Sequence, residues 1–186
     1  MDMSEPPRLD TERLVLRPFT LKDAKEVQRL AGHRDIASTT LNIPHPYEDG
    51  MAEEWISTHQ ETFEQGKGVV YAITLKDGRL IGTISLMTMI EGHQAELGYW
   101  IGKPYWNRGF CTEAGKELLR YGFDVLGLNR IHSSYISRNP ASGRVMQKLG
   151  MSYEGARKQH VKKWGVFEDL LLYGILKSDW HMQRSM

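Results

Sequence analysis

The spacing of apolar positions changes along this chain, and each change marks an element. Residues 14–19 read as a first strand. Leu21, Ala24, Val27, Leu30 and Ala31 then recur at helical spacing, with Thr20 placed to cap the first turn. Pro44 and Pro46 exclude regular structure over 42–47 and make that connection stiff. A second helix is expected over 51–65, ended by Gly66. The runs 69–75 and 80–90 flank Asp77-Gly78, a strong hairpin signal. A strand over 97–101, a helix over 113–125, a strand over 130–137, a helix over 141–149 closed by Gly150, and strands over 151–161 and 167–176 complete the order. That order, β-α-α-β-β-β-α-β-α-β-β, predicts an α+β (mixed α/β) domain: one mostly antiparallel twisted sheet of about seven strands, flanked by about four helices. No repeat or linker interrupts it, so residues 8–186 read as a single domain behind a polar, proline-bearing tail over 1–7 that is expected to fray.

Composition narrows the class without choosing a function. With 186 residues, 40% hydrophobic and 10% aromatic, the chain is long enough to bury one core. A formal net charge of +1 gives no strong signal for nucleic acid. There is no apolar run of about 18 residues for a membrane span and no signal-peptide pattern at the start, so a cytoplasmic protein with no membrane partner is expected. The single cysteine, Cys111, excludes an internal disulfide, and the histidines lack metal-ligand spacing, so no metal is expected. A homodimer is left open.

The segment Q-A-E-L-G-Y-W-I-G-K-P-Y-W-N-R-G-F-C-T-E-A, residues 94–114, carries the clearest chemistry. It joins a strand to a helix through a loop ending at Gly109. A helix start offers unpaired N–H groups and the positive end of the macrodipole, which together bind an anion. Gly109 allows close approach of the backbone, and Arg108 can add a charge-assisted hydrogen bond. Read bare, Trp106 and Phe110 could simply cover the sheet edge.

The same segment resembles the coenzyme A loop of GNAT-type N-acetyltransferases, in the branch of the ribosomal-protein enzymes RimJ and RimL. T-E-R-L-V-L-R-P-F from Thr11, L-I-G-T-I-S-L from Leu80, L-N-R-I from Leu128, N-P-A-S from Asn139, K-L-G-M from Lys148 and D-L-L-L-Y-G-I-L from Asp169 extend the resemblance over nearly the whole chain. It implies a GNAT-like sheet splayed between its fourth and fifth strands, a bulge in the fourth with Gly98 as its natural place, and acetyl-CoA in the gap. The implied cofactor contacts are Tyr99, Trp100 and Ile101 through the strand edge, Arg108, Gly109, Phe110, Cys111 and Thr112 through the loop, and Asn139 and Ser142. Trp106 and Cys111 depart from the commonest form of that loop, and Met146 stands where many relatives have a tyrosine.

The implied reaction is direct transfer of acetyl to an amine, with the α-amine of a protein N-terminus first among the acceptors. A small amine such as an antibiotic or polyamine, which would show an acidic cleft, is an alternative, as is a non-catalytic acyl-CoA-binding protein. Ser142 is the candidate to serve the departing thiolate, and Glu96 the leading base. An α-amine with pKa near 8 is already about 10% neutral at pH 7, so a base helps without being indispensable. Read without the resemblance, Asn139-Pro140 is a turn, Ser142 a first-turn residue, and Glu96 an exposed or salt-bridged strand carboxylate. The Rim-type glutamate position is best matched by Val161, and its neighbour His160 is a candidate proton relay or a solvated histidine. A helix start should lower the Cys111 pKa, but no adjacent histidine activates it, and a covalent acetyl-cysteine route is rejected. The basic run 157–163 could receive an acidic acceptor or RNA, or be a solvated hairpin face.

Overall fold

The computed structural model of the chain describes residues 5–185. Of the expected tail, residues 1–4 lie outside the described residues, and Pro6 is buried. The strands are β1 (Leu9–Asp10), β2 (Leu14–Arg17), β3 (Val69–Leu75), β4 (Leu80–Ile90), β5 (Gln94–Ile101), β6 (Arg130–Ile136), β7 (Ser152–Lys163) and β8 (Val166–Leu176). The helices are α1 (Ala24–Ala31), α2 (Arg34–Thr39), α3 (Met51–Ser57), α4 (His59–Glu64), α5 (Phe110–Arg120), α6 (Pro140–Lys148) and α7 (Lys177–Arg184). Among the described residues the strands make one 8-stranded sheet in the order β1-β2-β3-β4-β5-β6-β8-β7. Every neighbouring pair is antiparallel except β5 and β6, which are parallel.

Strand alternation sends residues to opposite faces of this sheet. Leu14, Leu16, Tyr71, Ile73, Ile84, Leu86 and Leu97 meet Phe110, Ala114, Leu118 and Leu119 of α5, with Met146 of α6 and Trp180 of α7, in the main core. On the other face Ala72 and Leu80 pack with Ala24, Val27 and Ala31 of α1 and Ala52 and Ile56 of α3. Gly122, in the π-helical turn Tyr121–Val125 that extends α5, is a close-approach position. A Cβ there would come within 2.8 Å of Ile131 and 3.0 Å of Leu86.

Several expected elements are corrected. The eighth strand is the two-residue β1, too short to leave a periodic signal. The helix expected over 51–65 is interrupted at Thr58, whose hydroxyl donates to the Trp55 carbonyl at 2.8 Å. The helix that opens after Gly109 runs as α5 only to Arg120, and the rest of its expected length to Val125 is π-helical. The short α2 buries only Ile36 and Ala37, and α7 only Trp180, so neither announces itself by periodicity. The bulge expected at Gly98 is absent, because β4–β5 register runs unbroken through Ser85↔Gly98. The irregularity sits in β4 between Met87 and Ile90, where Thr88 has φ 47°. Among the described residues no helix is long and apolar enough to cross a membrane.

The expected splay is present. β5 and β6 pair only through Gln94↔Arg130, Ala95↔Ile131 and Glu96↔His132. Where they part, the Ser133 hydroxyl donates to the Leu97 carbonyl at 2.7 Å. Beyond that point β5 pairs with β4 alone and β6 with β8 alone, which opens a wedge in the sheet.

Candidate active site

Two cavities fill the wedge. The first, of about 480 Å³, runs from the start of α5 to the start of α6, and Tyr99, Trp100, Ile101, Arg108, Gly109, Phe110, Cys111, Thr112, Asn139 and Ser142 all line it. Arg138, Arg144 and Lys148 line it too, so among the described residues it carries four cationic side chains and no carboxylate. Arg144 and Lys148 lie four apart on α6, a spacing readable in sequence once that helix is placed, yet they were missed.

The loop before α5 is held from outside the segment that contains it. Gly109, at φ 76°, caps the helix in a left-handed conformation, and Glu113 N–H makes the first backbone bond back to its carbonyl. The first-turn amides of Phe110, Cys111 and Thr112 thus precede the helical ladder and are free to meet an anion. Glu113 accepts from the Thr11 hydroxyl at 2.6 Å, the Arg13 N–H at 2.8 Å and Arg13 Nε at 2.6 Å. Arg13 also donates to the Arg108 carbonyl at 3.0 Å and lies 4.6 Å from the Phe110 ring centre. Burial pushes the Glu113 carboxyl up, but these hydrogen bonds outweigh it and hold it below the usual range. Trp106 donates from its indole to the Ile101 carbonyl at 2.6 Å, which folds the loop back on the end of β5.

At the inner end of this cavity Asn139 caps α6, its side chain accepting from Ser142 N–H at 3.4 Å while its amide donates to the Thr39 carbonyl at 3.3 Å. Tyr99 was expected to contribute only its backbone. Its phenol donates to the Ser142 carbonyl at 2.9 Å and accepts from the Ser142 hydroxyl at 3.0 Å. Burial pushes the Tyr99 phenol up, so it stays protonated. Cys111 behaves contrary to expectation, since burial pushes its thiol up. Met146 is buried in the main core.

The second cavity, of about 500 Å³, opens beyond that junction and shares Thr39, Thr40, Tyr99, Trp100, Asn139 and Ser142 with the first. Thr39 and Thr40 had no sequence signal; they reach the junction because α2 ends there. Glu96 lines only this second cavity. The salt bridge allowed for it is absent: it forms no ion pair within 4 Å among the described residues. Its register partner His132 is lowered by burial, with Glu96 opposing that shift.

The stiff 42–47 connection forms one wall of this cavity and is pinned by the β7–β8 hairpin. Lys163 Nζ donates to the Leu41 and Ile43 carbonyls at 3.5 Å, and Trp164 lies 5.9 Å from the His45 ring and 5.4 Å from the Arg34 guanidinium. Much of the basic run is thereby engaged: Lys158 pairs with Asp169 at 2.9 Å and Lys162 stands over the Phe167 ring. His160 is exposed on β7 and lines neither cavity.

Residues 13–152 match the acetyltransferase (GNAT) domain. The chain is 33% identical over 177 residues to the probable N-acetyltransferase YjcK of Bacillus subtilis (strain 168), covering 92% of this chain and 98% of that one. It is 28% identical over 185 residues to the [ribosomal protein uS5]-alanine N-acetyltransferase of Escherichia coli (strain K12), covering 93% and 92%. A GNAT-family acetyltransferase structure from Bacillus anthracis superimposes with a TM-score of 0.80 at 26% identity, over 92% of this chain and 99% of that one. A splayed sheet, a glycine-led helix start at the mouth of the wedge and a family match over most of the chain agree: this protein belongs to the GNAT acetyltransferases and is an N-acetyltransferase.

Proposed function

We propose that the chain binds acetyl-CoA in the cationic cavity and a primary amine in the cavity beside Glu96, and transfers the acetyl group directly between them in a ternary complex. One observation carries this: two cavities of opposite charge meet at Tyr99, Asn139 and Ser142. In this reading the amides of Phe110, Cys111 and Thr112 and the side chain of Arg108 take the pyrophosphate, and the free edge of β5 over 99–101 takes the pantetheine amides. Glu96 accepts the proton the amine gives up as its nitrogen bonds to the thioester carbon. The Ser142–Tyr99 hydroxyl pair serves the sulfur as the carbon–sulfur bond breaks. No cysteine intermediate is needed, and a thiol raised by burial is a poor nucleophile.

An α-amine is the leading acceptor, because a sizeable fraction is already neutral near pH 7 and because an alanine N-acetyltransferase is among the relatives. A small free amine is the second reading, favoured by the wall that residues 41–47 raise around the acceptor cavity. Purified protein incubated with acetyl-CoA and a panel of N-terminal peptides and small amines should release free thiol in proportion to acetylated product. Acetyl-CoA that neither binds nor is consumed with any amine would sink the reading.

A further inference from the structure

The acceptor cavity has an unusual chemical balance. Among the described residues that line it, Glu96 is the one side chain charged at neutral pH. Ile43, Tyr47, Met51, Trp55, Met87 and Trp100 supply its bulky apolar and aromatic surface, and neutral hydroxyl and amide side chains such as Asn42, Thr83, Ser85 and Ser134 supply the remaining polar groups. Four of these, Ile43, Tyr47, Trp55 and Trp100, also pack on the second core cluster, so they are rooted in the fold. Glu96, Gly98 and Trp100 alternate onto one face of β5, with Met87 directly across from Glu96 in β4. Gly98 leaves that face open between carboxylate and indole: a Cβ there would meet only Ser85 Oγ, at 3.2 Å, within 4 Å.

We infer that the acceptor is a monocationic primary amine whose nitrogen sits close to an aromatic or bulky apolar body. The inference rests on the acetyl-transfer reading above. Glu96 pairs with the single ammonium, and the body fills the space over Gly98 between Trp100 and the 41–47 wall. A polyamine or aminoglycoside brings further ammonium groups into the same space. There they meet aromatic, aliphatic and neutral hydroxyl or amide side chains instead of carboxylates, so no second negative charge pairs with them, and a charge buried without its counter-ion is strongly disfavoured. The acidic cleft that such acceptors need is absent among the described residues lining this cavity. The amine chemistry has two sources, a free arylalkylamine or the first residue of a peptide with an aromatic side chain.

The test compares kcat/KM, by thiol release at fixed acetyl-CoA, for phenethylamine, spermidine, kanamycin, and peptides opening with Phe or with Asp. Phenethylamine or the Phe peptide should exceed spermidine and kanamycin by at least about tenfold. Whichever of the two is faster identifies the source. Met87→Glu places a second carboxylate across from Glu96 and should raise the spermidine-to-phenethylamine ratio, while Met87→Gln should not. Spermidine or kanamycin matching the aromatic amines in the unaltered protein would overturn the inference and leave the N-acetyltransferase reading intact. Absence of turnover with every amine, despite a melting shift with acetyl-CoA, would remove the acceptor assignment to this cavity and the inference with it.

Discussion

Glu96 and Ser142 flank the proposed reaction from opposite sides, so their removal should leave different kinetic marks. With Glu96→Gln the amine must lose its proton to solvent, and the pH profile of kcat/KM should move alkaline, with a loss of about 10- to 100-fold at pH 7. Ser142→Ala should lower kcat while acetyl-CoA affinity, measured by calorimetry, stays nearly unchanged. Normal turnover by either variant from pH 6 to 9 would take that residue out of the chemistry. Cys111 gives the opposite expectation. Its thiol is raised by burial and its place is the first turn of α5, where alanine is the better helix former. Cys111→Ala should therefore keep its activity, and mass spectrometry of the unaltered protein mixed with acetyl-CoA alone should show no acetyl-enzyme. An acetyl adduct on Cys111 together with an inactive alanine variant would establish a covalent route.

The anion site depends on an element junction, and the contacts that fix it come from the other end of the chain. Glu113 gathers three hydrogen bonds from Thr11 and Arg13, and Arg13 in turn holds the Arg108 carbonyl. Glu113→Ala should cost about 1–3 kcal/mol of stability and weaken acetyl-CoA binding without changing the pH profile. Gly109→Ala, at φ 76°, should cost about 1–2 kcal/mol and disturb the same loop. Denaturant titrations and cofactor calorimetry read both effects, and unchanged affinity in both variants would separate this junction from the cofactor. The loop itself was legible, since glycine, a helix start and the preceding strand are local signals. Its clamp was not, because Thr11 and Arg13 meet Glu113 only after β2 and α5 have packed on one sheet. Thr39, Thr40 and the Lys163 contact to the 41–43 backbone were hidden for the same reason, whereas the helix and hairpin periods were visible because each is set by neighbours a few residues away. The break at Thr58 shows the limit of period alone: the apolar pattern continues through it, and a side-chain hydroxyl competing for the Trp55 carbonyl interrupts the helix.

At the scale of the whole molecule the sheet is weakest in pairing where β5 leaves β6, so a ligand filling that wedge should act on global stability. Acetyl-CoA at about 100 times its dissociation constant should raise the unfolding free energy by about 2.7 kcal/mol, readable as an upward shift in Tm. A melt unmoved by saturating cofactor would contradict the wedge as its site. Stability should also depend on pH through the face of the sheet that packs against α1 and α3. His59 lies 4.4 Å from the Trp55 ring and 5.5 Å from the Phe19 ring, and neither of its buried ring nitrogens has a hydrogen-bond partner among the described residues. Burial lowers its pKa from 6.5 to about 4, so the folded state holds a neutral imidazole that the unfolded state protonates more readily. Above pH 6.5 neither state binds the proton and stability is full. As pH falls from 6.5 toward 4 the unfolded chain takes the proton first, and stability drops by up to about 3 kcal/mol. The carboxylates lowered by their partners, Asp23 and Glu113 among them, add their own loss only as pH falls below the unfolded carboxylate range. Urea unfolding at pH 8, 6 and 5 should therefore show a decline that begins near neutrality, and His59→Phe, which keeps the ring contacts and removes the titrating nitrogens, should flatten it. An equal decline in that variant would assign the loss to other groups, with His132 the first to replace next.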